Sequence, residues 1–122
     1  MTERLVLGDR RVALPAPPRF VFEALAEPRR QAPYRQWLVL LDDEKDPRVV
    51  KAREYDLVVW SSIWTRHPRV QIRFELEPDG GGSTRMRIQL LDHEDPGPAT
   101  VGHLRKRMMQ LIAAELRYSF GQ

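Results

Sequence analysis

The segment VVWSSIWTRH holds the side chains best suited to binding or chemistry. In an extended chain, alternate residues face the same side. Alternation would therefore place four residues of this segment together: Trp60, Ser62, Trp64 and Arg66. Two indole rings separated by a hydroxyl would suit a flat, partly polar ligand. The opposite side, with Val59 and Ile63, is also apolar, so the sequence leaves open which side faces the interior. The tryptophans could instead cover a sheet edge or a dimer contact.

The three histidines make a weaker case for chemistry. His67 precedes a proline at a turn, His93 lies in the acidic loop LDHEDPG, and His103 opens the last predicted helix. No two of them have the spacing of a metal site, so we expect no bound metal. His67 could act as a general base, but no neighbour is placed to orient it. We therefore interpret it as an exposed turn residue.

Arg53 and Tyr55 would share one side of a predicted strand. Turned inward, they could bind a carboxylate or phenolate, or donate a proton. We expect them to face outward, because a buried arginine needs a partner that offsets its desolvation.

The composition excludes several classes of protein. The chain has no cysteine, which excludes disulfides, thiolate catalysis and cysteine-bound zinc. Its net charge is +3, but the arginines are dispersed among acidic residues, so we expect no nucleic-acid groove. The densest basic group, HLRKRMM, lies on a predicted helix, where consecutive residues point in different directions, and we interpret it as solvated surface. With no apolar run long enough to span a bilayer and no signal peptide, we expect a cytoplasmic protein.

The length of 122 residues suits a single domain, residues 1–122. Its first part predicts a strand over Glu3 to Leu14, with a bend tolerated at Gly8, and then a short helix that Pro28 ends. A second helical piece, from Arg29 to Trp37, is interrupted by a proline and predicts an elbow. Three strands follow, in the segments WLVLL, RVVKAREY and DLVVWSSIW.

The segment VQIRFELEPDGGGSTRMRIQL predicts a β-hairpin, because apolar and polar residues alternate on both sides of three glycines. Its apolar side comprises Val70, Ile72, Phe74, Leu76, Met86, Ile88 and Leu90. The glycines precede a strand and not a helix, so they form a turn and not a phosphate-binding loop. The last segment, Ala99 to Phe120, predicts a long helix with a broad apolar face that lies deep against a curved sheet.

The order of these elements and three local signatures resemble the START and polyketide-cyclase superfamily, whose helix-grip fold also occurs in the birch pollen allergen. The signatures are VALPAPPRFVFEALAEP, the hairpin RFELEPDGGGSTRMRIQL and the closing amphipathic helix. The resemblance implies an α+β helix-grip fold, in which a curved antiparallel sheet and two short N-terminal helices wrap a long C-terminal helix. The chain is short for such a fold.

The resemblance also implies a cavity between the sheet and the C-terminal helix that binds a hydrophobic or aromatic small molecule, such as a lipid or a polyketide-like compound, without a cofactor. The expected ligand-binding residues are Trp60, Ser62, Trp64, Phe74, Met86, Ile88, Leu104, Met108 and Ile112. The same alternation would also fit a filled core without a cavity.

Two other functions fit the resemblance. A cofactor-free cyclase or dehydratase would need polar groups to converge in the cavity, from residues such as Ser62, Arg66, His67 and Tyr34. The cyclase branch is similar in placing Trp, Ser and Arg at alternate positions of a strand, but here a second tryptophan stands at the expected arginine position. A protein-interaction module of the chaperone-activator type would use exposed aromatic and arginine residues, and is compatible with a homodimer. We favour a binding protein over an enzyme.

Overall fold

The computed structural model describes residues 4–29 and 37–120, which form an α+β fold. The elements are β1 (Leu5–Leu14), α1 (Pro18–Ala26), β2 (Val49–Arg53), β3 (Leu57–Trp60), β4 (Gln71–Pro78), β5 (Thr84–Asp92), α2 (Pro98–Met109), a π-helical segment (Gln110–Leu116) and α3 (Arg117–Ser119). The strands form one antiparallel sheet in the order β1-β5-β4-β3-β2. One core joins the sheet to α1 and to the C-terminal helical segments.

The hairpin of β4 and β5 agrees with the sequence prediction. Its inner side is buried and its outer side carries charged residues that pair across strands, such as Glu75 with Arg87. The turn is closed by the Asp79 N–H, which donates to the Ser83 carbonyl at 3.0 Å. All three glycines, at residues 80–82, have positive φ angles, a backbone conformation that costs glycine little.

The N-terminal part contains one described helix, α1, which buries Val21 and Leu25. Pro18 opens it, as expected from the fixed φ of proline. The second helical piece expected there falls mainly on residues 30–36, which lie outside the described residues. In β1, the register with β5 shifts between Val6 and Gly8, where the sequence tolerated a bend.

The prediction of a strand in WLVLL was wrong. Residues 37–41 form an irregular segment in which Trp37 and Leu38 are buried while Val39 and Leu41 are exposed. Side chains form hydrogen bonds with part of its backbone, in place of the backbone hydrogen bonds that a neighbouring strand would supply. The Val39 carbonyl accepts a hydrogen bond from Arg107, and the Leu41 N–H donates to a carboxylate of Glu44.

The C-terminal helix changes from α-helical to π-helical geometry at Gln110, and its buried apolar residues recur every four positions. Four of them are fully buried: Leu104, Met108, Ile112 and Leu116. An α-helix has 3.6 residues per turn, so each step of four residues drifts by about 40° around the axis. The π-helical segment has a wider turn and brings the later residues back to the core. No helix in the described part of the chain is long and apolar enough to cross a membrane.

Candidate functional site

The nine expected ligand-binding residues are all buried, with exposed fractions between 0% and 3%. They are Trp60, Ser62, Trp64, Phe74, Met86, Ile88, Leu104, Met108 and Ile112. Eight of them belong to the shared hydrophobic core, and Ser62 lies beside it. In this conformation their side chains pack against protein atoms and have almost no solvent-exposed surface.

Trp60 has the contacts of a core residue. Its indole N–H donates to the Leu25 carbonyl at 2.8 Å. Its ring stacks on Trp37 at 5.9 Å between centroids and meets the ring of Phe74 edge-on at 4.8 Å. The side of β3 that carries Trp60 therefore faces the interior. The indole N–H of Trp60 already has its hydrogen-bond acceptor, the Leu25 carbonyl.

The expected alternation from Trp60 to Arg66 was wrong, because β3 ends at Trp60. Beyond that point Ile63 and Trp64 are both buried, so the two sides of the strand are no longer distinct. The hydroxyl of Ser62 holds this bend: it accepts from the Trp64 N–H at 3.0 Å and donates to the Trp64 carbonyl at 3.2 Å. The Ser62 hydroxyl thus stabilises the backbone of the bend, and both of these hydrogen bonds are made with Trp64.

A buried ion pair between Arg107 and Glu44 was missed from the sequence. Arg107 Nε lies 2.8 Å from Glu44 Oε2, and Arg107 Nη2 lies 2.9 Å from Oε1. The same Nη2 donates to the Val39 carbonyl at 2.7 Å. The basic group HLRKRMM is therefore not wholly solvated surface. Helical spacing from Leu104 and Leu111, which places Arg107 on the apolar face, was the available signal.

An open cleft of about 290 Å³ lies where the bend after β3 meets the start of α2. We call it the Trp64 cleft; it is lined by Asp43, Trp64, Arg66, His67, Ala99, Thr100 and His103. Trp64 forms one wall and is only 2% exposed. Its indole Nε1 is buried and has no hydrogen-bond partner in the part of the chain that the structure describes.

The chemistry of the Trp64 cleft is that of a donor-rich site. The guanidinium of Arg66 and the two imidazoles can donate hydrogen bonds, and Asp43 supplies a carboxylate. The buried indole N–H is a further donor on a side chain that lines the cleft. A ligand oxygen that accepts hydrogen bonds would suit this set. Among the described residues, no group of histidine and acidic side chains could hold a metal ion.

The polar groups named for a cyclase are divided in the structure. Arg66 and His67 border the Trp64 cleft, whereas Ser62 borders a separate cleft at the end of the sheet. Tyr34 lies outside the described residues. Arg53 and Tyr55 are exposed, as expected; Arg53 pairs with Asp56 at 2.6 Å, and Tyr55 meets the ring of Phe22 edge-on.

Comparison with known proteins identifies similar folds. No protein-family model matches the sequence, and no curated protein matches it. The chain resembles the crystal structure of CalU16 from Micromonospora echinospora with a TM-score of 0.60 and 15% identity, over 93% of this chain and 84% of that one. It resembles the solution structure of the Aha1 dimer from Colwellia psychrerythraea with a TM-score of 0.62 and 15% identity, over 93% and 96%. At this identity the likeness shows a helix-grip type of fold and nothing finer.

Proposed function

We propose that this chain binds a hydrophobic or aromatic small molecule between its sheet and its C-terminal helix. The ligand enters through the cleft beside Trp64. The observation that carries the proposal is the buried indole Nε1 of Trp64, which has no hydrogen-bond partner within residues 4–29 and 37–120 and belongs to a side chain that lines an open cleft. A buried donor without an acceptor costs about 1–3 kcal/mol. A ligand that supplies the acceptor would recover this free energy.

The ligand that fits has an apolar body and an oxygen acceptor. Its body would lie against Trp64, and a carbonyl, phenolate or carboxylate oxygen would accept from the indole N–H. Arg66 and His103 would favour an acidic group at the open side of the cleft.

The size of the Trp64 cleft limits the ligand. Its volume of about 290 Å³ lies just below the range of about 300–1,000 Å³ that is usual for small-molecule sites. A larger ligand would reach the other expected residues only by separating Leu104 and Met108 from the sheet, since both are buried there. We therefore expect compact aromatic acids or short-chain lipids to bind before bulky polyketides.

Indole NMR tests the proposal directly. The chain has three tryptophans, so a ¹⁵N-labelled sample gives three indole N–H signals, which single Trp→Phe variants assign. We expect 2-naphthoate or octanoate to shift the Trp64 signal and to leave that of Trp60, bound to Leu25, almost unchanged. Loss of probe binding in W64F would support the proposal. A Trp64 signal that stays fixed up to millimolar concentrations of both probes would reject it.

A second function, a protein-interaction module, is favoured by a different observation. The expected ligand residues are buried in the interior, while Val49 and Val50 are exposed on β2, which is an edge strand of the sheet that the described residues form. Edge strands of this kind can pair with another chain. The Aha1 neighbour was solved as a dimer. Light scattering tests this function: a stable dimer that V49K converts to a monomer would favour it over small-molecule binding.

A further inference from the structure

A second cleft lies at the end of the sheet where β1, β2 and β4 begin and β3 and β5 end. Its volume is about 620 Å³, roughly twice that of the Trp64 cleft, and the two clefts share no lining residue. Because neighbouring strands are antiparallel, residues just outside all five strands are brought to this one end. We call it the arginine cleft, after Arg4, Arg48 and Arg69 in its lining.

The three arginines of this cleft form no ion pair within residues 4–29 and 37–120. On the outer side of the sheet, by contrast, Arg85 lies 2.7 Å from Asp79, and Arg87 lies 2.6 Å from Asp9. Of the described residues that line the arginine cleft, Glu94 alone is acidic. The cleft therefore holds three guanidinium groups against one carboxylate, a clear excess of positive charge.

An unsatisfied imidazole adds an independent observation. His93 also lines the cleft, and its Nδ1 atom is buried and has no hydrogen-bond partner among the described residues. The backbone N–H of the same residue donates to Asp92 Oδ1 at 2.6 Å, which helps to hold the residue at the end of β5. An oxyanion in the cleft would accept a hydrogen bond from a protonated Nδ1.

We propose that the arginine cleft binds a small molecule that carries two or more phosphate or carboxylate groups. A guanidinium matches both groups through two parallel hydrogen bonds. The arginines precede three different strands, including both edge strands, and this spread favours a ligand with separated anionic groups over a single one. An extended anion with separated charges uses the full cleft, and the apolar side chain of Val50 contacts its body.

Calorimetric titration at low salt tests this site, with pyrophosphate and citrate as probes. We expect the wild-type chain to bind at least one of them, and the tighter probe identifies phosphate or carboxylate as the preferred group. The variant R48Q/R69Q should bind at least about tenfold more weakly, since it loses charge-assisted hydrogen bonds. Both arginines are exposed, so the variant should keep its fold.

The matched control is R10Q/R117Q, which removes the same charge from two exposed arginines outside both clefts. It should bind the probe as the wild type does. Equal weakening in the two double variants would mean that only net charge matters and would overturn the proposal, as would the absence of binding at millimolar probe. The imidazole signals of His93 should also shift on binding, and W64F should leave the affinity unchanged, which separates this site from the proposed function.

Discussion

At the scale of single residues, the most consequential group is the ion pair of Arg107 and Glu44. The side chain of Arg107 is 7% exposed and that of Glu44 is fully buried. Both oxygens of Glu44 and two nitrogens of Arg107 are occupied, because Leu41 N–H and the Val39 carbonyl complete the cluster. The pair connects α2 to the segment that contains Val39, Leu41 and Glu44. It therefore helps to hold the C-terminal helix against the chain that precedes β2.

The variant R107M should lower the free energy of unfolding by about 3–5 kcal/mol, because it leaves the Glu44 carboxylate buried without its partner. Urea denaturation measures the loss. The control R105M changes an exposed arginine of the same helix and should have little effect. The double variant E44L/R107M should recover much of the loss, since an apolar pair needs no compensation. A loss in R107M no larger than in R105M would contradict the importance of the pair.

Asp9 should make folding sensitive to acid. The hydrogen bond from Arg87 holds the pKa of this carboxyl below its ordinary value of 3.8. A carboxyl whose pKa is lowered by folding stabilises the protein above that value and stops doing so as the pH falls through the folded pKa. The wild type should therefore lose more stability than D9N between neutral pH and the region below about pH 4.

Urea midpoints at neutral and acidic pH measure this difference between wild type and D9N. The difference should be small, because Arg87 and Asp9 are partly exposed and solvent screens the pair. Asp46, whose pKa is likewise lowered by its hydrogen bond with Arg29, keeps some acid sensitivity in both proteins. Identical acid dependence in wild type and D9N would show that Asp9 contributes nothing.

At the scale of elements, the two glycines Gly82 and Gly102 should respond in opposite ways to substitution by alanine. Gly82 lies in the hairpin turn with φ of +82°, whereas Gly102 lies within α2 with open space beside it. G82A should destabilise the protein by about 1–2 kcal/mol, because an L-residue is strained in the left-handed region. G102A should stabilise it by about 1 kcal/mol, because alanine is the better helix former. Thermal unfolding of both variants checks the signs, and equal shifts would contradict this assignment of the turn.

At the scale of the whole molecule, one core joins α1, the sheet and the C-terminal helix. Leu104 is fully buried at the contact of the helix with the sheet, so L104A should cost about 2–5 kcal/mol. Near-UV and far-UV circular dichroism should still report one coincident transition, as expected of a single cooperative unit. The control L41A changes a leucine that is 48% exposed and should cost much less. Two separate transitions in L104A would mean that the helix and the sheet unfold independently.

Much of the architecture could be predicted from the sequence, because its signals are local. Alternation and turn glycines predict the hairpin of β4 and β5, since strand periodicity and positive φ depend on neighbouring residues alone. The broad apolar face of residues at helical spacing likewise predicts the long C-terminal helix that packs on the sheet. These signals need no knowledge of distant parts of the chain, and the structure agrees with them.

The candidate sites, by contrast, depend on contacts between distant parts of the chain, which only the tertiary structure shows. Arg107 is buried because Glu44, 63 residues away in the chain, meets it across the fold, and no local pattern encodes that encounter. The strand ends at Trp60, and the hydroxyl of Ser62 bonds the backbone of Trp64, so the second indole becomes a buried wall of a separate cleft. The arginine cleft exists because five strand ends meet in space. Local periodicity determines which residues are apolar on each element, whereas long-range contacts determine which polar groups meet and which remain without a partner.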